Sequence, residues 1–179
     1  MPAVPRKLRR IDAHLPLALV GLLVARPSAG SLAAGAVLVL AGIAVRAWAA
    51  GFLDKGGPLC TDGPYRFLRH PLYLGSLIAA LGFVVMMNVI WGWAAILPLF
   101  LLLYTAQMLG EERHLRAAYG DAHQRYARAV PILLPLPGRR TETQGRRWEL
   151  ARALRNREQW HVVVTLSLVA LFILRWRAL

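Results

Sequence analysis

The chain has 179 residues, a length typical of one domain, and 57% of them are hydrophobic, more than the roughly one half found in soluble domains. Its 22 Lys and Arg residues outnumber its 9 Asp and Glu residues, for a formal net charge of +13. In a membrane protein this excess is typical of cytoplasmic segments, so no nucleic-acid partner is expected. The single cysteine, Cys60, excludes an intrachain disulfide and a cysteine metal cluster, and no metal site is predicted.

Five apolar stretches follow one another, at residues 11–26, 31–53, 71–87, 89–109 and 160–176. Crossing a membrane takes about 20 residues, with about 17 as a practical minimum. The second and fourth stretches reach that length, the third and fifth do so marginally, and the first has a clean apolar core only over 15–25. Pro98 is expected to kink the fourth. The predicted fold class is all-α: one domain over 1–179, a polytopic transmembrane helical bundle of about five spanning helices plus cytoplasmic helical tail segments.

The basic residues predict which loops share a side of the membrane. Only Asn88 separates the third stretch from the fourth, so these form a hairpin and bring 54–70 and 110–159 to one side. Both segments and the N-terminus are rich in Lys and Arg, which favours the cytoplasm for all three. The first stretch must then cross the membrane, and a secretory signal is the less favoured alternative. We expect an integral membrane protein of a bacterial inner membrane, with its N-terminus and active-site face in the cytoplasm.

The C-terminal region, 146–179, is predicted to hold a surface helix and the last transmembrane helix. Residues 138–147 (GRRTETQGRR) are typical of a flexible polar loop, and 146–159 of a surface helix. The arginines of that helix are expected near anionic lipid headgroups, which makes membrane lipids a partner.

Residues 63–75 (GPYRFLRHPLYLG) combine features of a binding site. Pro71 suits the first turn of a helix that begins near His70, and the N–H groups of such a turn attract anions. Tyr65 and Tyr73 offer aromatic faces to a cation or a flat ring, and Gly75 permits close approach to the backbone. The alternative is an ordinary basic flank with interfacial tyrosines.

Two adjacent carboxylates, Glu111 and Glu112, follow the fourth apolar stretch directly, where they are costly unless solvated or paired. The hairpin places them at the depth of His70 and Tyr73, and the helix is expected to continue to about Ala129. The sequence therefore predicts one pocket with an anion-binding end and an anionic end, which suits a zwitterion such as an amino acid.

Arg46 lies about two turns inside the cytoplasmic end of the second stretch. Two interpretations stay open. Its side chain could extend to the membrane surface, or it could anchor an anion in the pocket.

GPYRFLRHPLYLG, followed some forty residues later by EERHLRAAYGDAHQRYARAVPILLP, resembles the isoprenylcysteine carboxyl methyltransferase family, which is related to the membrane phospholipid N-methyltransferases. The resemblance covers about 46–135. It implies an integral-membrane enzyme that uses S-adenosyl-L-methionine. The positions that match cofactor-binding residues of the family are Leu59, Cys60, Tyr65, His70, Pro71, Leu72, Tyr73 and Glu111.

The resemblance also implies that Arg46 is linked to the substrate carboxylate. The sequence departs from the family pattern at Gln107, where eukaryotic prenylcysteine enzymes carry arginine, at His123, often tyrosine, and at Ile132, often basic. The departure at Gln107 puts a prenylcysteine substrate in doubt.

The expected function is methyl transfer from S-adenosylmethionine to a lipophilic or prenyl- or lipid-like acceptor, by carboxyl O-methylation or amine N-methylation. A carboxylate acceptor needs only positioning, whereas an amine must lose a proton, which Glu112 or His114 could accept. Arg46 and Glu112 are therefore the catalytic candidates. Two alternatives remain: an NADPH-dependent membrane oxidoreductase like the sterol reductases, and a non-catalytic membrane protein.

Overall fold

Residues 20–179 are described by the computed structural model, and every regular element among them is helical. Residues 20–24 are helical and are followed by five α-helices. These are α1 (Ala29–Ala50), α2 (Pro71–Met87), α3 (Leu97–Ala129), α4 (Leu150–Arg155) and α5 (Glu158–Arg177). A 3₁₀ turn, Gly63–Arg66, precedes α2, and a π-helical turn, Gly92–Ile96, leads into α3. The prediction of an all-α membrane bundle is confirmed.

Three helical segments in this part of the chain are long and apolar enough to cross a membrane: Ala29–Ala50, Gly92–Ala129 and Glu158–Arg177. The third predicted span, α2, is an apolar helix of 17 residues. Most of the first predicted stretch lies outside the described residues. Of the five predicted spans, the structure therefore supports three by length and one as a shorter apolar helix.

The hairpin between α2 and α3 forms as predicted, with Asn88 in the left-handed conformation (φ 51°) just after α2 ends. The kink predicted at Pro98 stays a prediction. Pro98 stands in the first turn of α3, directly after the π-helical turn. A departure from helical geometry that the sequence did not predict occurs at Gly120, with φ 50° and ψ −125°.

Glycines allow α1 and α2 to approach each other closely. Gly35 and Gly42 of α1 face Gly82 and Gly75 of α2, and a Cβ on any of the four would lie within 2.7 Å of an atom of the other helix. Small residues at such an interface let backbones touch, which gains dispersion energy where lipid supplies no hydrophobic driving force. The close approach predicted at Gly75 is therefore to Gly42 and to Arg46 of α1.

Residues 138–147 are not the free polar loop that the sequence predicted. The buried Asp62 accepts hydrogen bonds at Oδ1 from the N–H groups of Gln144 (2.8 Å) and Gly145 (3.1 Å). Two further hydrogen bonds join Arg66 and Thr141. The Thr141 N–H donates to the Arg66 carbonyl (3.2 Å), and the Arg66 Nε donates to the Thr141 carbonyl (3.0 Å). We call residues 141–145 the strap, because they bind across the loop before α2.

The predicted surface helix over 146–159 is also shorter than expected. The helix before the last span covers only Leu150–Arg155, and Arg157, at φ 61°, separates it from α5, which begins at Glu158. The Trp148 indole donates to the Ala47 carbonyl (3.1 Å) and lies where a side chain at Gly51 would be. The segment before α4 thus packs on the end of α1.

Replacing Gly42 with alanine should force α1 away from α2, because the new Cβ would lie 2.5 Å from the Gly75 carbonyl oxygen. We expect a loss of about 1–3 kcal/mol of stability, as for other overpacked interiors. Thermal unfolding in detergent measures the change. Gly30→Ala is the matched control, since nothing lies within 4 Å of that position on the same helix. Equal destabilisation by both variants would contradict the close approach.

Candidate functional site

The start of α2 is fixed by the chain that follows α3. The N–H groups of Arg69 and His70 donate to the carbonyls of Pro131 (2.9 Å) and Ile132 (3.1 Å). Pro71 is buried at the first helical position, where its missing N–H costs nothing. The Val-Pro segment after α3 therefore serves as the backbone partner of the His-Pro segment before α2.

The predicted anion site at this helix start stays a prediction, but few N–H groups are free there. The His70 N–H donates to the Ile132 carbonyl, and Pro71 has no N–H. The Tyr73 N–H donates to the His70 carbonyl (3.0 Å), so the helix start offers fewer N–H groups to a ligand than the sequence suggested.

Glu111 and Glu112 meet the start of α2, as the hairpin predicts. The Tyr73 hydroxyl donates to Glu111 Oε2 (3.0 Å). Arg69 forms an ion pair with Glu112 Oε2, and the Nε2 of His70 lies 2.7 Å from Glu112 Oε1. Both carboxylates are half-buried. They have the polar partners that such positions require, and the predicted proximity is confirmed.

His123 approaches the same carboxylate from beyond the Gly120 break. Its ring is buried, and its Nε2 lies 3.7 Å from Glu112 Oε1. Two histidines and an arginine therefore surround Glu112. A carboxylate with these partners is a poor free base, so the predicted role of Glu112 as proton acceptor gains no support from its contacts.

An aromatic column extends from this cluster along α3. The Tyr73 ring makes edge contacts with His70 and Tyr104, each with ring centroids 5.4 Å apart. Tyr104 in turn stacks on Phe100 at 4.0 Å. The column connects the carboxylates to the apolar half of α3 and provides aromatic surface beside them.

The loop before α2 contributes Cys60 and Tyr65 to a buried cluster. They pack with Leu72 at the start of α2 and with Ala49 and Ala153. Cys60 Sγ donates to the Phe52 carbonyl (3.4 Å), and burial raises the pKa of this thiol, so it stays protonated at neutral pH. Leu59 is half-buried. These contacts give the loop a fixed shape.

Tyr65 is also held from α3. Its carbonyl accepts a bond of 2.6 Å from the Tyr126 hydroxyl, and the Gly57 carbonyl accepts one of 2.6 Å from the Tyr119 hydroxyl. Tyr119 and Tyr126 lie on either side of Gly120. The break at that glycine thus brings the end of α3 back over the loop.

Arg46 does not extend to the membrane surface, as one of its two predicted interpretations had it. It is buried, and its Nε and Nη2 bind the two oxygens of Glu158 at 2.6 Å and 3.0 Å. Its Nη1 donates to Ser76 Oγ (2.6 Å) and to the Leu72 carbonyl (3.2 Å). The anion that Arg46 binds here is a side chain at the start of α5. Its substrate role stays a prediction that these contacts do not favour.

The predicted site residues near α2 fall into two groups. Glu111 and Glu112 of α3 contact Tyr73 and His70. Arg46 of α1 binds the Leu72 carbonyl of α2 and the Glu158 carboxylate of α5.

These clusters also contain polar residues that were not predicted as site residues, among them Arg69, Ser76, His123 and Glu158. For Glu158 a signal existed, since a single acidic residue beside an apolar helix requires a buried partner. His123 stands in the sequence only as a departure from the family pattern.

A family model described as phospholipid methyltransferase matches residues 29–122, just over half of the chain. The chain belongs to the phospholipid methyltransferase family. The match includes α1, α2 and the carboxylate pair of α3, and it confirms the resemblance drawn from the sequence. No solved structure matches the chain significantly.

Curated relatives of different description share parts of the same region. The chain is 35% identical over 92 residues to the cobalt-zinc-cadmium resistance protein CzcN of Cupriavidus metallidurans, covering 50% of this chain and 42% of that protein. It is 33% identical over 86 residues to the protein-S-isoprenylcysteine O-methyltransferase of Schizosaccharomyces pombe, covering 46% of this chain and 35% of that enzyme.

A third relative is the Delta(14)-sterol reductase LBR of Gallus gallus, 36% identical over 81 residues, covering 42% of this chain and 12% of that protein. The matched stretches thus cover less than half the length of these three relatives. Family membership and the methyltransferase relative support a membrane methyltransferase. The methyl donor and the methyl acceptor are proposed below.

Replacing Arg46 with methionine should strongly destabilise the protein, because it leaves the buried Glu158 carboxylate without its partner. We expect a loss of about 3–5 kcal/mol, the usual cost of breaking a buried pair. The double variant Arg46→Met/Glu158→Leu should recover most of it. Unfolding in detergent measures both.

The pair between the exposed Glu149 and the half-buried Arg152 is the control for this cycle. Glu149→Gln should change stability by only about 0–1 kcal/mol. If the double variant is no more stable than Arg46→Met, the two side chains are not coupled.

Proposed function

We propose that this chain is an integral-membrane methyltransferase that uses S-adenosyl-L-methionine and acts on a lipophilic or lipid-like acceptor. The observation that carries the proposal is the meeting of Glu111 and Glu112 with Tyr73, His70 and Arg69 inside the region that the family model matches. When bound, the cofactor supplies a methyl group on a positively charged sulfur for in-line displacement by a nucleophile.

The described residues fit such a cofactor by their chemistry. The Glu111 carboxylate is half-buried and suits an ammonium group, and the Tyr73 ring beside it suits a cation or a flat ring. Tyr65, Cys60 and Leu72 pack together in the adjoining cluster. Leu59 and Pro71 directly precede Cys60 and Leu72 in the sequence. We assign cofactor binding to these positions and to His70.

The protein's own part in the reaction is to position the reacting groups and to exclude water from the site. Glu112 holds Arg69 and His70 at the start of α2, and the strap binds the loop before it. Methyl transfer needs an aligned nucleophile and a dry site more than acid–base groups. A site whose carboxylates are tied into a network suits that requirement.

The double variant Arg46→Met/Glu158→Leu also tests whether Arg46 has a role beyond stability. If turnover returns with stability in Arg46→Met/Glu158→Leu, the arginine acts by fixing α5 to α1 and α2. If the protein is stable but inactive, Arg46 also serves the acceptor, as the family resemblance implies.

The exposed arginines around α4 support contact with anionic membrane lipids. Arg147, Arg155 and Arg157 are exposed, whereas Arg152 binds the Gly51 and Arg147 carbonyls. The first three are available to lipid headgroups at the membrane surface.

Replacing Glu111 with glutamine should weaken S-adenosylmethionine binding, because the variant loses the charge that faces the ammonium group. A hydrogen bond to a charged group contributes about 1.5–3 kcal/mol, so the dissociation constant should rise roughly tenfold or more. Calorimetric titration of detergent-purified protein measures it, with Glu149→Gln, an exposed carboxylate, as the control.

NADPH is titrated in parallel, because the chain also resembles a sterol reductase. Binding of NADPH in place of S-adenosylmethionine would favour the oxidoreductase. Binding of neither would favour a non-catalytic protein.

We also propose a bacterial inner membrane, with the N-terminus and the site in the cytoplasm. Cysteines introduced at positions 8, 54 and 142 should then be labelled from the same side by a membrane-impermeant reagent. Positions 54 and 142 are exposed, and the background variant lacks Cys60, which is buried. Labelling of position 8 from the opposite side would remove the first predicted span.

A further inference from the structure

The strap is held to the loop before α2 by hydrogen bonds rather than by buried apolar contacts. Besides the bonds to Asp62 and Arg66, the Thr61 hydroxyl donates to the Glu142 carbonyl (3.3 Å). No strap residue belongs to a buried hydrophobic cluster of residues 20–179, and 142–145 are exposed. A segment with few apolar contacts and exposed hydrogen bonds opens locally at low free-energy cost. The strap can therefore open without disturbing the buried clusters.

Asp62 is the central contact of the strap, and its carboxylate is only partly satisfied. The residue is 1% exposed, and its Oδ1 accepts from two strap N–H groups, whereas Oδ2 has no hydrogen-bond partner among residues 20–179. With the strap open, water would reach both oxygens. Closing the strap therefore gains two charge-assisted hydrogen bonds at one oxygen and loses hydration at the other. These opposed contributions bring the open and closed states close in free energy.

One glycine precedes the strap and another ends it, both at backbone angles that favour glycine. Gly138 has φ 74° and Gly145 has φ 79°, and no atom of the described residues lies within 4 Å of a Cβ placed at either position. The angle, and not space, therefore requires glycine there. Glycine also passes to other angles more readily than a residue with a side chain, so these two positions can act as pivots.

The strap binds the same short loop that carries two positions assigned to the cofactor. Cys60 and Tyr65 lie within three residues of Asp62, and both are buried. Just after the strap, Arg146 donates to the Phe52 carbonyl (3.2 Å), which also accepts from the Cys60 thiol (3.4 Å). Movement of the strap would therefore free the loop at the point where the cofactor is expected to bind.

We propose that the strap is a lid over the cofactor site and that Asp62 is the positioning residue that holds it closed. The lid opens to admit S-adenosylmethionine, closes on the bound cofactor and opens again to release S-adenosylhomocysteine. This inference rests on the proposed function and adds to it the route of cofactor exchange. Asp62 acts through the strap backbone, so the proposal requires no contact between Asp62 and the cofactor.

Replacing Asp62 with alanine should make cofactor binding faster in both directions. Entry is slowed by the fraction of time that a lid is closed, so losing this contact should raise the association rate constant several-fold. Losing two hydrogen bonds to a charged acceptor should raise the dissociation rate constant roughly tenfold or more. Rapid filtration with radiolabelled S-adenosylmethionine and detergent-purified protein measures both rate constants.

The association rate constant separates a lid from a merely structural contact. If Asp62 only kept the loop in its binding shape, Asp62→Ala would release the cofactor faster but would not take it up faster. Asp62→Asn keeps an acceptor oxygen for the strap N–H groups, so its rate constants should lie between those of wild type and Asp62→Ala. Glu142→Gln is the matched control, because its side chain is exposed and Thr61 binds its backbone carbonyl. Its rate constants should equal those of wild type.

Trypsin cleavage of wild-type protein tests the same movement without any substitution. Arg139, Arg140 and Arg147 flank the strap and are exposed. Because a protease cleaves a locally opened chain, saturating S-adenosylhomocysteine should slow cleavage at these three sites several-fold. Cleavage at Arg155 and Arg157, which are also exposed but lie at the end of α4 and just after it, should not change.

The inference is overturned if Asp62→Ala exchanges the cofactor at wild-type rates, or if it speeds release without speeding uptake. It is also overturned if bound S-adenosylhomocysteine leaves cleavage beside the strap unchanged, or slows cleavage at all five arginines alike. Should Asp62→Ala fail to fold, the cleavage of wild-type protein decides. Wild-type protein that binds no S-adenosylmethionine contradicts the methyltransferase itself, a result distinct from each of these.

Discussion

The candidate site depends on two neighbouring carboxylates at the point where α3 passes the start of α2. Glu111 and Glu112 are adjacent in sequence, yet they bind different partners, Tyr73 and the Arg69–His70 pair. An unpaired carboxylate at such a depth would cost free energy, so each of the two requires a polar partner on the facing helix. Tyr73, His70 and Arg69 meet that requirement, and their positions set those of the remaining site residues.

Much of this arrangement could be predicted from the sequence, because it follows from connectivity. A single residue between two apolar stretches requires a hairpin, and a hairpin requires that 70–73 and 111–112 lie at one depth. The His-Pro pair likewise predicts the start of α2 to the residue. Hydrophobic patterning and proline position carry this information locally, without knowledge of which helix faces which.

The rest could not be predicted, because it depends on which surfaces meet. Arg46 and Glu158 are 112 positions apart, and nothing in either local pattern names the other as partner. Gly35 and Gly42 of α1 likewise have no local pattern that names Gly82 and Gly75 of α2 as the residues they face. The sequence predicted a free loop at the strap because the strap is held by Asp62, which is distant in sequence. The buried Asp62 carboxylate accepts hydrogen bonds from backbone N–H groups, and such bonds leave no pattern in the sequence.

Gly120 gives α3 a property that its continuous helical pattern conceals. Nothing lies within 4 Å of the position a Cβ would occupy there, so glycine is required by the backbone angle (φ 50°) and not by space. Downstream of it, Tyr126 must return to the Tyr65 carbonyl, while upstream Glu112 must face His70. The number of residues between these two points is therefore fixed. One inserted residue would turn everything after it by about 100°, so this stretch should tolerate changes of residue far better than changes of length.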